Sequence, residues 1–201
     1  LYINQMSENI FNLEMLIISS VLYLIGSIPF AIISSKIFKL PDPRSFGSQN
    51  PGATNVLRSG NKYAAFLTLI GDGLKGFIPV FFLMETNIQP QLIYLLSFFL
   101  LIGHVFPITL NFKGGKGVAT SIGILLSVNI IAAVLLIITW LSVYYIFKIS
   151  GLSALIGFLL LPLFMFMTSA DTYMIAISFI NVLFIFMTHK KNIVGFLSNE
   201  S

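Results

Sequence analysis

Hydrogen-bonding side chains are concentrated in a polar segment at residues 47–58, which ends on an arginine. Small residues in this segment allow a ligand to approach the backbone closely, and its Ser, Thr and Asn side chains can both donate and accept hydrogen bonds. Arg58 adds a planar guanidinium whose geometry suits a phosphate or a carboxylate. A solvated loop with an ordinary capping residue is the alternative interpretation. The polar side chains concerned are Ser48, Asn50, Thr54, Asn55 and Arg58.

A second segment, FKGGKGVAT at 112–120, combines glycines with two lysines where a helix is expected to begin. Backbone amides at a helix N-terminus, together with lysine ammonium groups, are typical of an anion-binding loop. The pattern is not a Walker A loop, because Gly117 stands where Ser or Thr should follow the lysine, and Leu110 where the first glycine should be. A turn at the membrane surface fits equally well. The candidate phosphate ligands are Gly114, Gly115, Lys116 and Gly117.

Further charged residues follow or interrupt the apolar runs. The sequence HKKN at 189–192 comes directly after the last run, where basic residues also serve as positive-inside anchors. Asp72 and Lys75 lie within an apolar run at a spacing that places both on one helix face. Such charges indicate either a functional site or a structural ion pair that braces one. His104 lies in the next run, where a packing histidine is favoured over a ligand or a catalyst.

The composition excludes most classes of soluble protein. Hydrophobic residues make up 57% of the 201 residues, charged residues only 9%, and the mean hydropathy is +0.96. A soluble domain carries about a quarter charged residues. With no cysteine, the chain has no disulfide, iron–sulfur cluster or thiol nucleophile. The two histidines are far apart without a carboxylate cluster, so we expect no metal site, and the net charge of +4 indicates loop orientation rather than nucleic-acid binding.

The apolar runs predict an all-α, polytopic integral membrane protein that forms a single domain over residues 1–201. A helical crossing needs about 20 apolar residues. The runs lie at about 13–38, 63–84, 92–110, 118–147 and 151–187. Because the last two are too long for one crossing each, we divide them near 127–129 and 168–171, which gives seven crossings. Five crossings with long tilted helices are the alternative, and residues 1–12 are expected to form a short extracytoplasmic tail.

The basic residues predict the orientation of these crossings. Lysine and arginine near the ends of membrane spans favour the cytoplasmic side. In the seven-span arrangement, every basic residue except Lys75 lies on one side, whereas Glu8, Glu14, Glu85 and Asp171 lie on the other. The N-terminus is therefore expected outside and the C-terminus in the cytoplasm, with all three polar segments on the cytoplasmic face.

Taken together, these segments resemble the acyl-phosphate:glycerol-3-phosphate acyltransferase family of bacterial inner membranes (the PlsY family). The resemblance is carried, in order, by GSIPF at 26–30, the segment 47–58, DGLKG at 72–76, GHVFP at 103–107, FKGGKGVAT at 112–120, and His189 with Asn192 and Ile193. The last motif departs from the family pattern. Thr188 and Gly195 stand where the family usually has arginine, and Asn199 stands where a glycine usually precedes the terminal acidic residue, here Glu200.

The resemblance implies a seven-helix enzyme of the bacterial cytoplasmic membrane, with its active site on the cytoplasmic face. The implied reaction, an early step of phospholipid synthesis, moves a fatty acyl group from acyl phosphate to the sn-1 hydroxyl of glycerol 3-phosphate and yields lysophosphatidic acid and phosphate. No cofactor is implied; the implied partners are the two substrates, membrane lipids and an enzyme that produces acyl phosphate. The catalytic positions are Ser48, Arg58, Lys116, His189 and Asn192, the substrate-binding positions are Asn50, Thr54, Asn55, Gly114, Gly115, Gly117 and Thr120, and the supporting positions are Asp72, Lys75 and His104.

The expected mechanism rests on charge and positioning, because an acyl phosphate is already activated. Arg58, Lys116 and the amides of the glycine-rich loop are expected to bind phosphate, while Ser48 and Asn192 orient the glycerol hydroxyls or the acyl carbonyl. His189 acts either as general base or as a binding group. The His-to-Asp signature of acyl-CoA acyltransferases is absent, since Thr109 and Val194 stand at the matching offset. A transporter of an organic phosphate is the alternative function, although no paired half-repeats are found.

Overall fold

The fold is built from helices, most of them joined by short connections; the two longer connections are the polar stretches 38–52 and 106–117. The computed structural model describes residues 2–169 and 171–198, with side chains described from Asn12 onward except that of Leu197, and contains no β-strand within those residues. The α-helices are α1 (Tyr2–Gly26), α2 (Phe30–Ile37), α3 (Ala53–Leu57), α4 (Lys62–Met84), α5 (Pro90–Leu96), α6 (Phe98–Val105), α7 (Val118–Val128), α8 (Ile130–Phe147), α9 (Ser150–Leu159), α10 (Leu161–Thr168), α11 (Thr172–Thr188) and α12 (Lys190–Leu197). Short 3₁₀ turns occur at Pro43–Ser45 and Ile108–Leu110.

Between four and six segments of the described chain are long and apolar enough to cross a membrane. The four clear candidates are Asn12–Ile37, Lys62–Met84, Pro90–Leu110 and Ile130–Phe147. Two further pairs of helices qualify if each bent pair counts as one span: α9 with α10, bent by 42°, and α11 with the adjoining Lys190–Phe196, bent by 66°. The predicted all-helical membrane architecture is confirmed. Of the seven predicted crossings, the fourth corresponds to α7, which has only 11 residues.

The chain breaks where the sequence predicted breaks. Asn129 separates α7 from α8 and accepts a hydrogen bond from the Ala132 amide at 3.0 Å. Asp171 begins α11 in the same way, accepting from the Met174 amide at 2.8 Å. Both residues are effective N-caps because their side chains satisfy amides that the first turn leaves unpaired. Residue 170, within the second predicted break, lies outside the described residues.

Glycines allow α4 and α7 to pack at very short range. A Cβ on Gly76 would lie 2.3 Å from the Thr120 carbonyl oxygen, and one on Gly123 would lie 2.0 Å from the Gly73 carbonyl oxygen. Small residues at such contacts are typical of helix packing inside membranes, where close backbone approach replaces the hydrophobic driving force. The contact brings Asp72 of α4 beside the first turn of α7, directly after the glycine-rich loop.

Candidate functional site

The first polar segment is organised by Asn55, which is buried at 2% exposure. The Oδ1 atom of Asn55 accepts from the Ser48 amide at 2.9 Å, and its Nδ2 donates to the carbonyl oxygens of Pro43 at 2.6 Å and Phe46 at 3.1 Å. Both polar atoms of Asn55 are therefore engaged by the loop backbone. The direct substrate contact expected of Asn55 does not fit this burial; its observed contacts hold Ser48 in place instead.

The same loop presents Ser48 and Arg58 at the surface. Gly47 has φ of +58°, and a Cβ there would lie 2.3 Å from Asn55 Oδ1 and 3.2 Å from Arg58 Nη1. This left-handed conformation and tight spacing favour glycine at position 47. Ser48 and Arg58 both remain exposed, as does Thr54, whereas Asn50 is partly buried. These side chains are accessible to a ligand.

The glycine-rich loop is tied to α6 through its own amides. The Gly114 amide donates to the Val105 carbonyl oxygen at 3.0 Å, and the Gly115 amide donates to the His104 carbonyl oxygen at 3.1 Å. A Cβ on Gly114 would lie 2.0 Å from that His104 oxygen, and one on Gly115 would lie 2.1 Å from His104 Nε2. The expectation that these two amides bind phosphate is corrected, because both already donate to backbone carbonyls. The glycines are needed for close contact with α6.

A set of buried side chains lies beneath this loop, and we call Asp72, Lys75, His104 and Thr120 the buried polar cluster. The predicted ion pair is confirmed, with Lys75 Nζ 2.9 Å from Asp72 Oδ1. His104 Nδ1 is 3.5 Å from the same carboxylate oxygen, and the Thr120 hydroxyl donates to the Asp72 carbonyl oxygen at 3.0 Å. Each member is 8% exposed or less. Thr120, expected to bind substrate, is fully buried and instead links α7 to α4.

The second and third polar segments meet at Lys116 and Asn192. The Lys116 ammonium donates a hydrogen bond to Asn192 Oδ1. The Thr188 hydroxyl lies 2.9 Å from the Lys116 carbonyl oxygen, which joins the end of α11 to the glycine-rich loop. Thr188 stands where the family usually has arginine, and nothing in its local sequence indicates this contact.

Lys116 lies within electrostatic range of two further cations at this junction, and we call Arg58, Lys116 and Lys191 the cation cluster. Partial burial lowers the pKa of Lys116, and the positive charges of Arg58 and Lys191 lower it further. Among the described side chains, the ion pairs are Asp42–Arg44, Asp72–Lys75 and Asp72–His104, so no carboxylate is paired with the cation cluster there. Clustered cations without a carboxylate partner favour an anionic ligand, because such a ligand relieves their mutual repulsion.

His189 is held as a neutral side chain close to these cations. Its Nδ1 lies 2.8 Å from the Ile185 carbonyl oxygen, a contact that requires Nδ1 to carry the proton and leaves Nε2 as the acceptor. Burial is the main cause that lowers the pKa of His189 to about 4, and the neighbouring charge of Lys116 acts in the same direction. At neutral pH, His189 therefore offers a lone pair and carries no charge.

The structure thus brings the three predicted segments to one place. Arg58 comes from the first, Lys116 from the second, and His189 and Asn192 from the third. Ser48 follows Gly47, which lies against the Arg58 side chain. Asn199 and Glu200 lie outside the described residues. Within the described part of the chain, no three His, Cys, Asp or Glu side chains group in a way that could hold a metal ion.

Comparison with known proteins decides the family. The family model for glycerol-3-phosphate acyltransferase matches residues 16–199. The glycerol-3-phosphate acyltransferase of Herminiimonas arsenicoxydans is 46% identical over 183 residues, covering 89% of each chain. The chain belongs to the glycerol-3-phosphate acyltransferase family. Another relative, from Ruthia magnifica, is 48% identical over 184 residues, covering 89% of this chain and 90% of its own.

Solved structures of this family share the fold. The glycerol 3-phosphate form of PlsY, described as an integral membrane glycerol 3-phosphate acyltransferase, superposes with a TM-score of 0.85 at 30% identity, covering 92% of this chain and 93% of that one. Its lysophosphatidic acid form gives 0.84 at 29% identity. The family resemblance predicted from the sequence is confirmed, and so is its class, an acyltransferase enzyme embedded in a membrane.

Proposed function

We propose that this protein transfers a fatty acyl group from acyl phosphate to the sn-1 hydroxyl of glycerol 3-phosphate, releasing lysophosphatidic acid and phosphate. The observation that carries the proposal is the cation cluster, in which Lys116 is held by Asn192, while Arg58 and Lys191 add positive charge that lowers its pKa, and no carboxylate is paired with the three in the described chain. Both substrates are phosphate monoanions or dianions, so their reaction needs concentrated positive charge. Family membership supplies the acyl acceptor, and the missing acyl-CoA signature favours acyl phosphate as the donor.

The site residues divide between charge and orientation. Arg58, Lys116 and Lys191 bind the two phosphate groups, and the fork of Arg58 gives directional contacts that a lysine ammonium does not. Ser48 and Asn192 orient the glycerol hydroxyls or the acyl carbonyl. Gly117, the last glycine of the loop, is the N-cap of α7. The amides in the first turn of a helix have no partner within the helix, so this end of the loop favours an anion.

In the chemical step, the sn-1 oxygen attacks the acyl carbonyl carbon while the bond from that carbon to the phosphate oxygen breaks. The hydroxyl proton needs an acceptor. A general base works best when its pKa is near the operating pH, and the pKa of His189, at about 4, is far below neutrality. His189 therefore serves as a hydrogen-bond acceptor that aligns the hydroxyl, and the departing phosphate takes the proton.

The membrane setting follows from the helices and the basic residues. We infer seven crossings in a bacterial cytoplasmic membrane. Of these, α7 is a short crossing of about 16 Å, and the bilayer is locally thinner beside the glycine-rich loop. The acyl chain lies among the apolar helices, and the site faces the cytoplasm, where a soluble or membrane-bound enzyme supplies acyl phosphate. Membrane lipids surround the exposed apolar faces.

Purified protein incubated with labelled glycerol 3-phosphate and either acyl phosphate or acyl-CoA tests this function. We expect lysophosphatidic acid with acyl phosphate and none with acyl-CoA. Equal product from acyl-CoA, without acyl-phosphate synthesis in the preparation, would contradict the proposed donor. Uptake of glycerol 3-phosphate into proteoliposomes without acylation would indicate a transporter instead.

Cysteine labelling tests the orientation cleanly, because the chain has no native cysteine. Single cysteines at Gln49, Lys113 and Ser198 are expected to react with an impermeant thiol reagent in inverted vesicles and to resist it in intact cells. A cysteine at Asn87 is expected to behave in the opposite way. Labelling at Gln49 from outside would overturn the orientation.

A further inference from the structure

Gly151, in the first turn of α9, lies directly against the side chain of Asn192. A Cβ at Gly151 would lie 2.6 Å from Asn192 Nδ2, 3.0 Å from its Cγ and 3.5 Å from its Cβ. Gly151 is buried and lies outside all three polar segments identified from the sequence. The first turn of α9 is thus a fourth segment in contact with the site.

This contact differs in kind from those of the packing glycines. At those positions, an added Cβ would meet a backbone carbonyl oxygen first, so the helices or loops themselves would have to move. The positions of that kind are Gly26, Gly76, Gly103, Gly114 and Gly123. At Gly151, by contrast, the three nearest atoms all belong to the Asn192 side chain. A methyl group there requires only that a rotatable carboxamide move aside.

That carboxamide is the hydrogen-bond acceptor for Lys116. Asn192 Oδ1 accepts from Lys116 Nζ, while the other end of the same group contacts Gly151. Displacing the carboxamide therefore removes a contact that holds the Lys116 ammonium in its place within the cation cluster. The expected cost falls on the site and not on the fold.

We propose that Gly151 is a positioning residue for acyl transfer: its lack of a side chain makes room for the Asn192 carboxamide in the orientation that holds Lys116. The inference rests on the proposed function, because it assigns Lys116 and Asn192 to substrate binding. Helix propensity helps to separate an effect on activity from an effect on stability, because alanine stabilises a helix more than glycine does. Gly151→Ala should therefore leave the fold as stable as before, or more so, and still lower activity.

Gly157 provides a matched control on the same helix. A Cβ at Gly157 would lie 3.7 Å from the nearest heavy atom, the Leu136 carbonyl oxygen, which is an ordinary contact. We expect Gly157→Ala to keep wild-type kinetics. Gly151→Ala is expected to reduce kcat/KM by about tenfold, with an unfolding midpoint no lower than that of the wild type. Failure of Gly151→Ala to fold would contradict the claim that only the Asn192 side chain is displaced.

A double-mutant cycle separates positioning from a merely structural effect. In the Asn192→Ala background there is no carboxamide to displace, so adding Gly151→Ala should change kcat/KM by less than about twofold. The same loss in both backgrounds would overturn the inference, as would wild-type kinetics for Gly151→Ala beside an impaired Asn192→Ala. Full activity of Asn192→Ala would overturn the site assignment, and the inference with it.

Discussion

The buried polar cluster and the cation cluster are joined by the glycine-rich loop, and each contains a lysine. The two lysines have opposite electrostatic surroundings. In the buried polar cluster, Lys75 has a carboxylate oxygen of Asp72 at 2.9 Å and the Ile28 carbonyl oxygen at 2.8 Å. In the cation cluster, Lys116 has a neutral carboxamide and two positive neighbours. The charge of Lys75 is balanced by a carboxylate of the protein, whereas Lys116 has no carboxylate partner among the described side chains, and we propose that a ligand balances it.

The difference arises because the glycine-rich loop contacts the buried polar cluster at one end and contributes Lys116 to the cation cluster at the other. Its glycines donate to α6 carbonyls on the His104 side, where a buried charge needs internal partners to be tolerated. Lys116 follows two residues after Gly114, lies outside the buried polar cluster and is only partly buried. Substitutions in the buried polar cluster should therefore act on folding, and substitutions in the cation cluster on substrate binding.

The largest expected effect is on folding, for Asp72→Ala. Removing this carboxylate leaves the Lys75 ammonium buried without its counter-charge, which costs about 3–5 kcal/mol in unfolding free energy. Folded yield should fall accordingly, measured as monodisperse protein after purification. The double variant Asp72→Leu with Lys75→Met should recover most of that yield, and the exposed Glu85→Ala serves as control. Equal stability of Asp72→Ala and wild type would break the comparison.

A second, smaller effect concerns the pH dependence of stability at His189. Because its pKa in the folded protein, about 4, is below the ordinary 6.5, the folded state favours the neutral ring. The resulting stability is complete above about pH 6.5 and is lost as the pH falls from 6.5 toward 4. Between pH 7 and pH 5, the wild type should lose about 1–2 kcal/mol more than His189→Asn, whose amide keeps a donor for the Ile185 carbonyl. An equal loss of unfolding free energy between pH 7 and pH 5 in the two proteins would contradict the lowered pKa of His189.

The third effect is kinetic and compares two arginines of the same polar region. Arg58 belongs to the cation cluster, whereas Arg44 is paired with Asp42 at 2.7 Å. Arg58→Ala should lower kcat/KM for glycerol 3-phosphate at least about tenfold, equivalent to about 1.4 kcal/mol, while Arg44→Ala changes it less than about twofold. Similar losses in both variants would indicate a general effect of surface charge.

Much of the fold could be predicted because its signals are local. Asn129 and Asp171 are polar residues inside long apolar stretches, and each one begins a helix. The spacing of Asp72 and Lys75 on one helix face was enough to predict their ion pair. The convergence of the three polar segments followed from the one-sided distribution of basic residues together with the family resemblance.

What could not be predicted depends on contacts between distant residues. The sequence GGKG predicts phosphate binding by the amides of Gly114 and Gly115, and it does not reveal that both amides donate to carbonyls of α6. Nor does the sequence around Gly151 reveal Asn192 as its neighbour. The Asn55 side chain can both donate and accept hydrogen bonds, as a ligand-binding residue would. Only the structure shows that its three hydrogen bonds are made to the backbone of its own loop.

Binding of glycerol 3-phosphate to purified, monodisperse protein tests most directly whether the cation cluster is the phosphate site. Titration calorimetry would compare the wild type with Lys116→Ala and with Lys113→Ala, which removes an exposed lysine of the same loop. We predict that Lys116→Ala raises the Kd at least about tenfold, a loss of about 1.4 kcal/mol, while Lys113→Ala stays within about twofold of the wild type. An unchanged Kd for folded Lys116→Ala would contradict the assignment of Lys116 to the phosphate.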